Sequence, residues 1–146
     1  MGRVVASVHV SNPAHPAQAI RCDVLVDTGA TELILPTAWK DRLGPLTALR
    51  RVTMETADQR IVEGEACGPV QIQIEGFDPI FDEVIFLDLQ PSDGAYEPLL
   101  GYVVLEKSRA AVDLVGHRLV PVKHLDLKRL AASTQTRAGK RRHRTS

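Results

Sequence analysis

The chain has 146 residues and a mass of 16.0 kDa, enough for one domain with a real core but not for two. With 44% hydrophobic and 25% charged residues wholesale disorder is excluded, and 4% aromatics leave little material for a nucleic-acid binder that works by base stacking. The formal charge of zero hides an asymmetry: Arg137, Lys140, Arg141, Arg142 and Arg144 crowd the last ten residues, which hold no acid, so residues 1–136 carry thirteen bases against eighteen acids.

Val4, Ala6, Val8 and Val10 alternate with polar residues, the period of a half-buried strand. Asn12-Pro13 and His15-Pro16 break that run, and a second strand is expected from Gln18 to Val26, giving way to a turn at Asp27-Thr28-Gly29-Ala30. Thr31 to Leu35 reads as a short strand closed by Pro36, with Thr37 placed to cap a short helix through Trp39 and Leu43 that ends at Gly44-Pro45. Leu49 to Ile74 predicts two long strands around Asp58-Gln59, a partly exposed hairpin. Val70, Ile72 and Ile74 alternate with Gln71, Gln73 and Glu75, and Gly76 to Pro79 turns the chain into a strand from Ile80 to Leu89. Gln90 to Glu97 is a loop, and Leu99-Leu100-Gly101 leads into a helix to about Lys107. Ala111 to Leu114 and Leu119 to Val122 predict a hairpin around Gly116. Leu125, Leu127 and Leu130 support a weak helix, and the segment from Ser133 has the composition of a flexible basic tail. The expected domain is 1–124, with 125–146 as its appendage.

Cys22 and Cys67 are too few for a disulfide scaffold and lack CxxC spacing, which makes a reducing compartment the expectation. Arg3 is followed by alternating rather than continuous apolar residues, so neither a signal peptide nor a membrane-spanning segment is predicted, and the protein is read as cytoplasmic with no membrane partner. His9, His15, His117, His124 and His143 are scattered without helical pairing or a neighbouring Cys, so no metal and no cofactor are expected. No G-x-S-x-G elbow or glycine-rich phosphate loop occurs.

One segment carries chemistry. Val24-Leu25-Val26 delivers Asp27 into a turn of small residues. An acid directly after an apolar strand needs donors, and Gly29 lets backbone N–H groups approach it. A plain Asx-turn, in which Asp27 only caps its own loop, has the same local sequence. The wider context is a second apolar segment, Pro98-Leu99-Leu100-Gly101, followed by a short helix and Ala111-Val112-Asp113-Leu114, while Leu33-Ile34-Leu35-Pro36 follows the first motif. Together, across about residues 3 to 122, these resemble the retropepsin-like (retroviral-type) aspartic proteases, in particular small prokaryotic members with one D-T-G-A motif per chain.

The resemblance implies an all-β, closed acid-protease barrel with one or two short helices, in which an apolar strand passes through a loop of its own sheet. Because each chain has one D-T-G and hydrolysis by this route needs two carboxylates sharing a proton, it also implies a homodimer acting as an aspartic endopeptidase on peptide or protein substrate in extended conformation. By the same resemblance Asp27 is catalytic, Thr28 bonds across the twofold axis, Gly29 N–H holds the carboxylate, Ala30 forms the floor, and Leu100 and Gly101 pack beside the turn. The tip Ala57-Asp58-Gln59-Arg60 aligns with the flap that closes over substrate, although it lacks the glycine usual there, and Asp58 and Arg60 fit equally well as solvated turn residues. Asp113 reads as a structural acid and Trp39 as a packing anchor. The rival reading is a catalytically idle dimerisation or peptide-binding module on the same fold, its 137–144 tail making a weak contact with nucleic acid or an acidic partner.

Overall fold

The computed structural model describes residues 3–56 and 58–122. The expected weak helix after 124 and the basic tail lie outside the described residues, as does Ala57.

Strands β1 (Val5–Asn12) and β2 (His15–Val26) form an antiparallel hairpin. Its alternation buries Val8, Val10, Ile20 and Val24 and leaves Ser7 and Asp23 outside, joined by a 2.7 Å hydrogen bond. The second strand begins at His15, earlier than Gln18. Asn12 is the reason: its amide donates to the Leu43 and Pro45 carbonyls, both at 2.8 Å, and its Oδ1 accepts from Ala14 N at 3.0 Å. The reversal is thereby compressed to Pro13-Ala14. Pro16 falls where the register slips between Ser11 and Asn12, a place that needs no ladder donor.

Strand β3 (Leu33–Pro36) runs into a 3₁₀ helix, Thr37–Leu43. The expectation that Thr37 caps this helix is corrected. Thr37 is its first residue, and the cap position is Pro36, extended at φ −67° and ψ 141°, with no side-chain cap bond. Pro36 also remains in the sheet, opposite Leu87, because its fixed φ suits an extended chain. Strands β4 (Thr47–Glu55) and β5 (Ile61–Ile74) make the long hairpin, and β6 (Ile80–Leu87) returns antiparallel to β5, stopping two residues short of Leu89. The two-residue strand β7 (Leu99–Leu100) precedes α1 (Tyr102–Ser108), and β8 (Ala110–Asp113) and β9 (Arg118–Pro121) form a separate antiparallel pair.

The large sheet has the order β1-β2-β7-β3-β6-β5-β4, and β1 pairs again with β5. Six strands therefore close into a ring, which removes their edges, and β4 stands outside it on β5. Inside the ring lies the larger apolar cluster, which includes Val10, Leu33, Leu35, Ile72, Phe86, Leu100 and Val104. Trp39 packs against that cluster and meets Tyr96 edge-on at 5.9 Å, the anchoring role read from the sequence. A second cluster, Ala30, Ile34, Ala66, Ile85 and Leu87, is covered by Val52, Met54 and Val62 of the β4–β5 hairpin. No helix among the described residues is long and apolar enough to cross a membrane.

Gly64 marks where the hairpin meets the barrel. A Cβ there would stand 1.9 Å from the Phe86 carbonyl oxygen and 2.9 Å from Leu87 Cα, both backbone atoms that cannot swing aside. Gly64→Ala is expected to cost about 2 kcal/mol or more through forced backbone displacement, read as a lowered urea midpoint at unchanged slope.

Candidate active site

Asp27 follows the last residue of β2, and the loop that bears it is held from the other end of the sequence. Leu25 and Val26 pair in parallel with Leu99 and Leu100, which pair antiparallel with Ile34 and Leu33 on their other side. The strand β7 is thus wedged between the strands that flank the turn. Leu25 N donates to Pro98 O and Asp27 N to Leu100 O, both at 2.9 Å. Leu100 is fully buried, so the bond that fixes Asp27 is shielded from water.

The turn closes on itself through Ala30 N to Asp27 O at 3.0 Å and Gly29 N to Asp27 Oδ1 at 2.9 Å. The second bond orients the carboxylate, and an Asx-turn would have the same bond, so it does not by itself assign chemistry. A Cβ on Gly29 would lie 3.2 Å from that oxygen, tight enough to loosen the contact. Ala30 is buried in the second apolar cluster, Thr28 and Gly29 are exposed, and Asp27 is half-buried. The carboxylate therefore rests on an apolar floor and faces outward.

Helix α1 supplies a contact that the sequence reading missed. Its N-cap Gly101 offers no side-chain acceptor, and helix starts need partners for their free N–H groups. Here they donate to the Asp27 turn and the strand it feeds: Tyr102 N to Ala30 O at 2.9 Å, Val103 N to Thr31 O at 3.0 Å and Gly101 N to Glu32 O at 3.0 Å. The approach requires glycine, since a Cβ on Gly101 would fall 2.3 Å from Thr31 C and O. The signal in the sequence is a helix preceded by Leu-Leu-Gly with no Ser, Thr, Asp or Asn to cap it.

The hairpin tip departs from its expected glycine by straining another residue. Gln59 takes φ 66°, the left-handed region, and Thr56 closes the reversal through Thr56 N to Arg60 O and Gln59 N to Thr56 O, each 2.9 Å. Asp58 bonds the Thr56 hydroxyl, and Arg60 Nε reaches Asp58 Oδ2 at 3.1 Å. The Thr56 hydroxyl above all, helped by the Arg60 charge, holds the Asp58 carboxyl below its ordinary range. Both side chains bond within the turn itself.

Thiol chemistry has no support here. Burial, then the Asp23 charge, pushes the Cys22 thiol up to about 11, and burial raises Cys67, so both are protonated at neutral pH. A groove of about 620 Å³ lies beside β1 and β2, lined by Ser7, His9, Arg21, Cys22, Asp23 and Glu75 among others, and Asp27 has no part in it.

No family model and no curated protein matches the chain. Among solved structures it is similar to the EIAV protease complexed with the inhibitor HBY-793, with a TM-score of 0.55 and 23% identity over 77% of this chain and 94% of that one. The fold is retropepsin-like. At this identity the likeness speaks for the architecture of the retropepsin-like barrel, and any chemistry must be argued from the residues.

Asp113, the acid of the later motif, sits at the end of β8 and braces a turn. It accepts from Gly116 N at 2.9 Å and Val115 N at 3.1 Å, with Arg118 Nε at 3.4 Å. These donors, Gly116 N–H first, hold its carboxyl below the usual range. A lowered native value adds stability above the unfolded carboxyl pKa and loses it as pH falls through the native value. Asp113→Ala is therefore expected to unfold at lower urea than the wild type at neutral pH, with the two midpoints converging in strong acid.

Proposed function

We propose that the protein is an aspartic endopeptidase that works as a homodimer, with Asp27 of each copy forming one shared site. The observation that carries this reading is the placement of Asp27: an outward-facing carboxylate on an apolar floor, held by Gly29 N–H, on a backbone whose Asp27 amide donates to the buried Leu100 carbonyl, in a retropepsin-like barrel. A single chain offers one such carboxylate, and water activation of this kind needs two. The exposure of Thr28 and Gly29 leaves the turn free to meet its twin.

In the dimer, two carboxylates at hydrogen-bond distance hold one proton between them. The ionised Asp27 takes a proton from water while the oxygen of that water attacks the scissile carbonyl carbon, and the protonated partner gives its proton to the carbonyl oxygen. Collapse of the tetrahedral diol breaks the C–N bond as the first Asp27 passes the proton taken from water to the departing nitrogen, and the partner Asp27 takes back a proton from a diol hydroxyl, which leaves a carboxylic acid, an amine and the original pair. The β4–β5 hairpin covers the apolar cluster beneath it through Val52, Met54 and Val62, which suits an extended substrate with its backbone along strands and apolar side chains turned inward.

Asp27→Asn is expected to keep fold and dimer but to reduce hydrolysis of an unfolded protein substrate by at least about a thousandfold, because an amide neither accepts the proton of water nor shares one. Cleavage at near wild-type rate in the purified variant refutes the assignment. If instead the wild type is inert while dimeric, the fold serves as an idle binding module. Specific activity should also fall with dilution in parallel with the dimer fraction measured by sedimentation; a fully active monomer is incompatible with a shared site.

A further inference from the structure

The β4–β5 hairpin extends past the barrel. Strand β5 pairs with β6 as far as Gly64 opposite Leu87, and Asp88 N still bonds Glu63 O at 3.1 Å. Beyond that rung, among the described residues, Ile61 and Val62 pair with β4 alone. A two-stranded ribbon standing off a sheet is weakly held, so its motion is set by what grips its base.

Two ion pairs do so, and they meet the ribbon at adjacent rungs, Arg50 opposite Ala66 and Arg51 opposite Glu65. From the 3₁₀ helix, Lys40 Nζ bonds Glu65 on β5, each side chain about 30% exposed. From β6, Glu83 takes Arg50 on β4 through both carboxylate oxygens, at 2.6 and 3.2 Å. Because side chains alternate along a strand, Arg50 lies on the face of Val52 and Met54, which cover the cluster around Ala30, and Glu65 on the opposite face.

We propose that Lys40–Glu65 and Arg50–Glu83 form a two-sided electrostatic latch at the base of the hairpin, which sets how readily the outer strand segments, Val52 to Glu55 and Ile61 to Val62, lift from the apolar floor beside Asp27. The body supplies one charge to each pair, Lys40 and Glu83, and the rungs of the β4–β5 hairpin just before the ribbon supply the other, Glu65 and Arg50. Loss of either pair frees one face of the pivot, and loss of both leaves the base held by backbone bonds and apolar packing. The bearing of this latch on substrate entry rests on the peptidase reading, whereas the mobility of the ribbon does not.

The test is hydrogen exchange by mass spectrometry on the full chain, comparing wild type, Lys40→Met, Glu83→Gln and the double variant. Both substitutions lie outside the ribbon, so the intrinsic exchange rates of its amides are unchanged. Peptides spanning 52–62 are expected to exchange about three- to tenfold faster in the double variant, the range for two half-exposed pairs, with peptides from β1 and β2 unaffected. Raising salt should speed the same peptides in the wild type and speed them less in the double variant, which keeps only the Arg51–Glu63 and Arg60–Asp58 pairs of the hairpin. Unchanged ribbon exchange, core peptides accelerating by the same factor as the ribbon, or salt-insensitive exchange in the wild type would each overturn the latch. These readings involve no cleavage, so a failed Asp27→Asn test removes the peptidase reading and leaves the latch standing.

Discussion

The hydrogen bond from the Asp27 amide to the Leu100 carbonyl joins the Asp27 turn to the rest of the molecule. It is possible only because β7, two residues long, lies between β2 and β3 and pairs with both. Remove β7 and the ring opens between β2 and β3. Leu100 would no longer fill the core, and α1 would lose the seat from which it donates to the Ala30 and Thr31 carbonyls. The same few residues close the barrel, satisfy the start of a helix that has no capping side chain, and position a carboxylate.

That arrangement explains why small residues stand where they do. Gly101 is in contact with the Thr31 backbone and Gly64 with that of Phe86, two points at which main chain meets main chain with no room for a methyl group. Ala30, one residue past the D-T-G triplet, is buried between the turn and the hairpin, and a larger side chain would lift the floor. The packing constraint and the site constraint coincide at these positions.

The strands and their faces were legible because alternation is a local property. Val8 and Val10, or Ile72 and Ile74, declare their buried side within a few residues. The turn at Asp27 was legible as a motif, and its pairing with Leu99-Leu100-Gly101 followed from a family resemblance. Which strands become neighbours was not legible from periodicity: the parallel pairing of Leu33 with Val84, or of Leu25 with Leu99, leaves no local trace. Helix caps failed for a related reason, since Thr37 has the right chemistry but Pro36 occupies the cap within a continuing strand. The ion pairs of Lys40 and Arg50 were invisible for the same cause, each joining segments far apart in the chain. The turn at Gln59 shows the converse, where hydrogen bonds that Thr56 accepts from Gln59 N and Arg60 N sustain a backbone angle that the residue type disfavours.

The wedged position of β7 has a consequence for how the molecule comes into being. The Asp27 turn is made early in synthesis, yet Leu99 to Val103, which complete it, leave the ribosome more than seventy residues later. Until then the Ala30 and Thr31 carbonyls lack their helix donors and β2 and β3 have nothing between them. Contacts this distant in sequence form slowly, because a long loop must close before they are rewarded. A nascent chain therefore carries the Asp27 carboxylate in an unassembled turn, and the geometry of that turn waits for the C-terminal part of the barrel.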